Sequence, residues 1–266
     1  MTKFNIKTVK DKSGYNEVSF CPFRGGIVTS LKLKGKEVLY FDQETFLDIE
    51  KSVRGGIPIL FPNAGELENN HLYPNLKRHG FVKNMECEVE SKGFGFKEVF
   101  KSNNETRNVY PFNFDLSVVG NFESDGSFTL TQEVKNMEKD KNLPISMGLH
   151  PYFKVPYKEK KNIRFNFEDG LSAEEQIEIW ENSGTVYLDN PKVKDPNATT
   201  NIDIPNLGTL ILDISVEYQK IWIWSIPKSD FICIEPMMRG LNGLVNDPFE
   251  VKINEPFMAS LNIKLK

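Results

Sequence analysis

Short stretches of alternating apolar and polar residues run through most of the chain, and Gly, Pro, Asn and Asp separate them. Stretches of this length that are rich in β-branched and aromatic residues are typical of β-strands. The pattern predicts strands over Phe4–Val9, Glu17–Phe20, Ile27–Leu33, Glu37–Phe41, Cys87–Glu90, Phe112–Val119, Ser127–Val134, Ile163–Phe167, Gln176–Trp180, Thr185–Leu188, Thr209–Val216, Ile221–Trp224, Phe231–Ile234 and Ala259–Leu265. Many short strands at close spacing indicate an all-β sandwich.

Helical patterns are rare by comparison. Gln43–Ile49 is long enough for two helical turns, but no stretch keeps a 3.6-residue apolar period over four turns. The glycine pairs Gly25-Gly26 and Gly55-Gly56 lack the strand and helix that flank the glycine-rich loop of a dinucleotide site. No Pro-, Gly- or Ser-rich linker divides the 266 residues. We therefore predict one domain over residues 1–266 and no nucleotide cofactor.

Composition and charge describe a globular chain that does not favour polyanions. Hydrophobic residues make up 39% of the sequence, which is enough for a sizeable core. The formal net charge is -4, whereas nucleic acids and anionic membranes select concentrated basic surfaces. The one dense basic run, Lys158–Lys161, is typical of a solvated turn. We expect neither a nucleic-acid nor a membrane partner.

The N-terminal residues and the cysteines indicate a cytoplasmic location. The first residues lack the apolar core of a signal peptide, and no stretch approaches about 18 apolar residues. The cysteines, Cys21, Cys87 and Cys233, are odd in number and far apart, which argues against a disulfide framework or a closed cysteine zinc site. Cys233 lies in an apolar run, and we interpret it as a packing residue.

Two histidines and one glutamate are the candidates for proton transfer. His79 lies in Arg78-His79-Gly80-Phe81, and His150 lies between Leu149 and Pro151-Tyr152-Phe153, whereas His71 lies in a polar loop and is expected to be solvated. Glu235 ends an apolar run, where burial would raise its pKa toward neutrality. Either histidine alone could be an ordinary structural residue. Together, two imidazoles and one carboxylate can exchange protons near pH 7.

Four motifs carry a resemblance to a known family. They are Val53–Gly65 with Arg54-Gly55-Gly56-Ile57-Pro58, His79–Phe81, Leu149–Phe153, and Ile234–Pro236 followed by Leu241-Asn242. Their order and spacing resemble the aldose 1-epimerase (galactose mutarotase-like) family, near the branch that includes hexose-6-phosphate mutarotases. The resemblance implies a large antiparallel β-sandwich that binds a small-molecule sugar in a cleft of one sheet. It also implies interconversion of α and β anomers without a metal or other cofactor, so that activity survives chelation.

The resemblance assigns roles to residues of this chain. It implies that Glu235 is the general base for the anomeric hydroxyl and that His150 is the general acid for the ring oxygen. It further implies that His79 and Arg54 contact the sugar, and Arg78 belongs to the same motif region. The family often has one more acidic sugar ligand, and the candidates that stay open are Asp189, Asp195 and Asp203.

Two departures from the family pattern affect the substrate. Val82-Lys83 stands where phosphosugar mutarotases commonly have Ala-Arg, and a lysine offers a point charge instead of a bidentate fork. Met237–Arg239 replaces a segment that usually contains tryptophan. We therefore expect at most a modest preference for a 6-phosphorylated hexose, with a free aldose slightly favoured.

Other functions on the same fold remain alternatives. One is a non-catalytic carbohydrate-binding or regulatory protein, since a fold does not guarantee its chemistry. Another is a glycosidase or lyase, but a glycosidase needs two carboxylates about 5–9.5 Å apart, and only Glu235 stands out. A metal-dependent isomerase would need clustered His and Glu ligands. The rings of Trp222 and Trp224 alternate along one strand, where they serve either as core or as a platform under a sugar.

Overall fold

The computed structural model describes residues 4–68, 70–166 and 173–266. The strands are β1 (Lys7–Lys10), β2 (Glu17–Cys21), β3 (Ile27–Leu33), β4 (Lys36–Glu37), β5 (Ile59–Leu60), β6 (Glu88–Lys92), β7 (Gly95–Lys101), β8 (Phe114–Phe122), β9 (Phe128–Asn136), β10 (Leu143–Ile145), β11 (Gly148–Leu149), β12 (Tyr152–Lys154), β13 (Arg164–Phe165), β14 (Thr185–Asp189), β15 (Thr200–Ile204), β16 (Gly208–Ile214), β17 (Lys220–Trp224), β18 (Phe231–Met237), β19 (Phe249–Val251) and β20 (Phe257–Leu265). The α-helices are α1 (Gln43–Leu47), α2 (Asn104–Val109), α3 (Ala173–Glu181) and α4 (Gly243–Asn246). Short 3-10 helices cover Pro22–Arg24, Val82–Asn84, Tyr157–Asn162 and Pro191–Val193.

Two large antiparallel sheets form the body of the molecule. The larger one has the order β13-β15-β16-β20-β9-β8-β7-β6. The second has the order β14-β17-β18-β11-β5, and β12 also pairs with β18. Smaller sheets join β1 to β4 in sequence order and pair β10 with β19. The arrangement confirms the predicted all-β antiparallel sandwich.

One face of the second sheet packs against the main core, and the opposite face carries the candidate proton-transfer residues. Ile223 and Ile234 are partners in register and lie in the main core, together with residues of the larger sheet such as Leu116 and Leu130. Because side chains alternate along a strand, the residues between them point the other way. Trp222 is the register partner of Glu235, and Trp224 is the partner of Cys233. This alternation places the candidate carboxylate on the face directed away from the main core.

One predicted strand is a helix. Gln176–Trp180 alternates apolar and polar residues, but it lies within α3. Gln176 and Trp180 are both buried and are four residues apart, which is one helical turn. The neighbouring glutamates favour a helix. Over so few residues, an alternating pattern of apolar residues can therefore also fit a helix. The predicted helix at Gln43–Ile49 is confirmed as α1, which ends at Leu47.

Other boundaries also differ from the prediction. The strand predicted from Phe4 begins at Lys7, and Phe167, the last residue of another, lies outside the described residues. β7 and β15 were not predicted, although both pair over their full length. β15 is polar at alternate positions and short, and β7 carries two lysines and a glutamate that weaken the apolar signal.

Lys160 is an exception to the prediction that its basic run is solvated, whereas Lys158 and Lys161 are exposed as predicted. Its side chain is buried, and Nζ donates hydrogen bonds to Ser225 Oγ at 2.6 Å and Ser229 Oγ at 2.9 Å. Nζ also lies 5.7 Å from the centre of the Phe231 ring. Burial lowers the pKa of Lys160 to about 8. The lysine therefore ties the Tyr157–Asn162 turn to the hairpin between β17 and β18.

Among the described helices, none has the length and apolar content needed to cross a bilayer.

Candidate active site

His150 and Glu235 meet on the outward face of the second sheet. β18 carries Glu235, and the two strands that flank His150, β11 and β12, both pair with β18. His150 Nε2 lies 3.6 Å from Glu235 Oε1. The two residues are only 4% and 3% exposed. The structure thus brings together two residues that are 85 positions apart (235 minus 150) in the sequence.

Burial acts on both groups in the direction of the neutral form. It raises the pKa of Glu235 to about 8, with a smaller opposing effect from the charge of Arg78. It lowers the pKa of His150 to about 3, and the cationic Arg78 and Lys83 contribute in the same direction. The predicted rise in the pKa of Glu235 is confirmed. Between the pKa of His150, about 3, and that of Glu235, about 8, the pair therefore carries one proton.

Aromatic rings fix the orientation of His150. The ring of Tyr152 stacks on the imidazole at a centroid distance of 4.7 Å and an angle of 9°. The ring of Trp224 meets it edge-on, with a centroid distance of 5.9 Å. Tyr152 in turn packs on Phe231 at 4.9 Å. Trp224 also lines the open cleft that reaches His150, which supports the prediction that its ring could serve as a platform under a sugar.

His79 lies next to His150 and is held by its neighbour in the chain. The two imidazole rings have a centroid distance of 5.3 Å. Arg78 Nε donates a hydrogen bond to His79 Nε2 at 2.9 Å. Burial, together with the smaller effect of the nearby Arg78 and Lys83 charges, lowers the pKa of His79 well below its usual value. His79 is therefore a neutral group whose Nε2 is already engaged.

The backbone at His79 explains the glycine that follows it. His79 has φ 68° and Gly80 has φ 66°, so both residues are in the left-handed region. A Cβ on Gly80 would overlap the carbonyl oxygen of Phe61. The turn that presents His79 to the site therefore requires glycine at position 80.

Gly80→Ala should destabilise the fold by at least about 2 kcal/mol, because backbone strain adds to the overlap with Phe61. The free energy of unfolding from urea titration measures this loss. Gly14→Ala is the matched control, since Gly14 has φ 73° and a Cβ placed there would meet nothing within 4 Å. If the two variants lose the same stability, the contact with Phe61 is not the cause.

An open cleft of about 570 Å³ leads to His150. A smaller pocket of about 50 Å³ continues inward from it beside Pro58 and Ile59. The ionisable residues that line the cleft, apart from the histidines and Tyr152, are four cations and two carboxylates: Lys51, Arg54, Arg78, Lys83, Asp42 and Glu44. The cleft can therefore accept a polar ligand with an anionic group at one end.

The loop that contains Asp48 and Lys51, on one side of the cleft, is held in place by Arg24. Arg24 is buried and donates hydrogen bonds to the carbonyl oxygens of Asp48 at 2.8 Å and Lys51 at 2.7 Å. The backbone of Arg54 is fixed as well, because its N–H donates to Thr45 Oγ1 at 3.0 Å. The Arg54 side chain is exposed, and in the described ranges its guanidinium has no ion-pair partner. Arg54 is thus free to bind a ligand in the cleft.

The predicted acidic candidates lie elsewhere, whereas two others line the cleft. Asp189 forms an ion pair with Lys220 at 2.6 Å and lies with Asp195 on a separate surface cleft. Asp203 is exposed on β15 and accepts a hydrogen bond from Thr209. The described residues that line the site include none of these three. Sequence reasoning missed Asp42 and Glu44, which flank the start of a short helix with no catalytic signature.

Cys233 packs in an apolar cluster with Tyr152 and Phe231, as predicted, and it also lies beside the two candidate catalytic residues. It lies two residues before Glu235 on β18 and is fully buried. Ligand atoms of His150, Cys233 and Glu235 all lie within 4.8 Å of one another. The sequence predicted no cluster of metal ligands, because its two candidate histidines are far apart along the chain. The exposed His71 is confirmed as a residue outside this site.

The chain matches known proteins over most of its length. The family model described as aldose 1-epimerase matches residues 8–205. The protein LacX of Lactococcus lactis subsp. lactis is 32% identical over 167 residues, which cover 57% of this chain and 52% of LacX. A protein of Cenchrus ciliaris, provisionally named a glucose-6-phosphate 1-epimerase, is 25% identical over 170 residues, or 58% of this chain and 50% of that protein. The matched region thus spans about half the length of these two relatives.

A solved structure agrees over nearly the entire fold. The Slr1438 protein from Synechocystis sp. PCC 6803 superposes with a TM-score of 0.84 at 27% identity, and the match covers 98% of this chain and 96% of that one. The family model covers well over half of the residues and includes the segments of Arg54, His79 and His150. The chain belongs to the aldose 1-epimerase family.

Proposed function

We propose that the protein interconverts the α and β anomers of a hexose by opening and reclosing the sugar ring. Glu235 acts as the general base and His150 as the general acid. The observation that supports this most directly is the distance of 3.6 Å between His150 Nε2 and Glu235 Oε1, where both residues are buried and His150 lines the cleft. Family membership supports sugar chemistry independently.

The closeness of the two groups suits this reaction. In a cyclic aldose, the anomeric hydroxyl oxygen and the ring oxygen are bonded to the same carbon. A base for one oxygen and an acid for the other must therefore lie side by side. A glycosidase instead places two carboxylates about 5–9.5 Å apart across the bond that it breaks. Here the neighbour of Glu235 is an imidazole, which favours ring opening over glycoside hydrolysis.

Each proton and electron pair in the proposed reaction has a destination. The Glu235 carboxylate removes the proton of the anomeric hydroxyl, and the electron pair of that O–H bond forms the carbonyl. The bond from the anomeric carbon to the ring oxygen breaks, and the ring oxygen takes a proton from the His150 imidazolium. Rotation of the aldehyde group exposes its other face. The same steps in reverse then close the ring as the other anomer.

When the ring opens, the proton shared by Glu235 and His150 must lie on His150. Burial favours the neutral forms, so the resting pair is a carboxylic acid and a neutral imidazole. The reactive form is the tautomer with a carboxylate and an imidazolium, which carries the same number of protons. Forming this tautomer costs free energy, and the two proton transfers of ring opening return it because they restore the neutral pair.

A screen of anomer exchange tests the proposal. Purified protein is added to freshly dissolved hexoses, and the approach to anomeric equilibrium is followed by polarimetry or exchange NMR. We expect acceleration above the spontaneous rate for at least one of glucose, galactose or their 6-phosphates. Saturable sugar binding without acceleration would instead identify a carbohydrate-binding protein. Cleavage of a glycoside without anomer exchange would identify a glycosidase.

Arg54 should set the response to a phosphate group. A phosphate in the cleft would gain charge-assisted hydrogen bonds worth roughly 1.5–3 kcal/mol each, but Asp42 and Glu44 oppose it. We expect at most a modest preference of the wild type for a hexose 6-phosphate. Arg54→Ala should lower kcat/KM for the 6-phosphate by about tenfold or more, and by less for the free hexose.

The control for Arg54 is another exposed arginine. Arg107 contacts Asn113 outside the cleft, so Arg107→Ala should leave both kcat/KM values unchanged. Measurement at two ionic strengths adds a second readout, because an exposed phosphate contact weakens with salt. An equal loss of kcat/KM for both sugars in Arg54→Ala would show that this side chain does not bind the phosphate.

A further inference from the structure

The outward face of the second sheet holds three different metal-binding donors at one point. Cys233 and Glu235 alternate on β18, so both side chains point to the same face. His150 reaches that point from the segment between β11 and β12. The three donor atoms lie within 4.8 Å of one another, and all three residues are buried. Within the described ranges, this is the single set of three such donors so close together.

The spacing fits a tetrahedral ion. Zinc binds nitrogen, oxygen and sulfur at roughly 2.0–2.3 Å, so neighbouring ligand atoms in a tetrahedron lie about 3.3–3.8 Å apart. The distance from His150 Nε2 to Glu235 Oε1 is 3.6 Å, which falls within that range. The other pairs of donor atoms are no more than 4.8 Å apart, so metal binding would draw them closer together. Three protein ligands would leave a fourth coordination position for water or another ligand.

The donor types determine which ions fit. Thiolate, imidazole and carboxylate together suit zinc and similar transition metals, whereas magnesium and calcium select oxygen donors. Two of the donors become anions when they bind a metal. Tyr152 and Phe231 pack against Cys233 in one apolar cluster, where a buried anion is costly. A divalent ion would offset the two negative charges.

We propose that His150, Cys233 and Glu235 form a binding site for a zinc-class divalent metal ion, and that this ion inhibits the protein. The inhibitory part rests on the proposed function. A bound ion would occupy the lone pairs with which Glu235 accepts a proton and the nitrogen with which His150 delivers one. Sugar and metal would therefore compete for the same two side chains.

Metal binding can be measured without any enzymatic activity. The protein is stripped with EDTA, dialysed and titrated with Zn²⁺ by calorimetry. It is then titrated with Cd²⁺ while the ultraviolet absorbance of the cadmium–thiolate bond is recorded. We expect one equivalent of either metal to bind and Mg²⁺ not to bind. Cys233→Ser should abolish the thiolate absorbance and weaken Zn²⁺ binding by about tenfold or more.

Two variants control for loss of the fold. Cys21→Ser removes a buried thiol that packs against Phe46 in a separate cluster, so it should keep both signals. Glu235→Gln keeps the thiol but removes a charged oxygen ligand, and it should weaken Zn²⁺ binding even if Cys233→Ser does not fold. Absence of Zn²⁺ binding, or binding as tight in Cys233→Ser and Glu235→Gln as in the wild type, would overturn the site.

Kinetics then separate inhibition from the proposed function. Stoichiometric Zn²⁺ should suppress anomer exchange, and both EDTA and high sugar concentration should relieve the suppression. If EDTA abolishes exchange and Zn²⁺ restores it, the inhibitory role is wrong and the metal is a cofactor. If no exchange occurs with any sugar but the cadmium–thiolate signal is present, the proposed function fails while the metal site stands.

Discussion

Glu235→Gln should lower kcat for anomer exchange by about 10²-fold or more, because glutamine keeps the size of the side chain but cannot accept the anomeric proton. The packing around position 235 should not change, since the residue is buried among Trp222 and Met237 on one face of β18. The exchange rate is measured by NMR saturation transfer between the two anomers. The spontaneous rate measured without protein is subtracted.

A second buried glutamate provides the control. Glu98 is fully buried in β7, and burial raises its pKa well above the usual value. It does not belong to the described residues that line the cleft, so Glu98→Gln should keep the wild-type rate. Sugar affinity, measured by calorimetry, should change little in Glu235→Gln. An unchanged exchange rate in Glu235→Gln would remove Glu235 from the mechanism.

The central pair could be predicted from sequence because each residue lies in a distinctive motif. His150 is flanked by Gly, Pro and aromatic residues, and Glu235 ends an apolar run that must become a buried strand. The direction of the Glu235 pKa shift follows from that burial alone. The distance between the two residues does not follow from sequence, since it depends on how β11 and β12 pair with β18.

The rest of the site depends on long-range contacts that leave no local pattern. Asp42 lines the cleft because the loop after it folds back onto Arg24, whose partners are backbone carbonyls of no particular residue type. Asp189 is the expected type of ligand, but it lies outside the site. There it forms an ion pair with Lys220 on the adjacent strand. A sequence shows neither which strands become neighbours nor which charges pair across them.

Local ambiguity accounts for the errors in the fold. Gln176–Trp180 fits a two-residue period and a helical period equally well over five residues, and helix propensity favoured α3. Lys160 belongs to a basic run, yet its position in a tight turn directs Nζ toward Ser225. Short windows cannot resolve either case, because the deciding partners are distant in sequence.

The pH dependence of kcat/KM should have an alkaline limit near pH 8. Ring opening needs a single proton on the pair of Glu235 and His150. Above the pKa of about 8 of Glu235, the pair loses that proton, and neutral His150 has none to donate. Below the pKa of about 3 of His150, both groups are protonated and no base remains. Activity should therefore be constant from about pH 4 to 7 and fall about tenfold per unit well above pH 8.

His150→Gln should remove both the rate and this pH profile. Glutamine cannot deliver a proton to the ring oxygen, so kcat should fall by about 10²-fold or more, and the residual rate should not show the alkaline limit near pH 8. His71→Gln is the matched control, because His71 is exposed in a loop and does not line the cleft. Hydroxide accelerates spontaneous anomer exchange, so the protein-free rate must be subtracted at each pH. A wild-type kcat/KM that keeps rising above pH 9 would show that the pair does not need its shared proton, and His150 would then not be the acid.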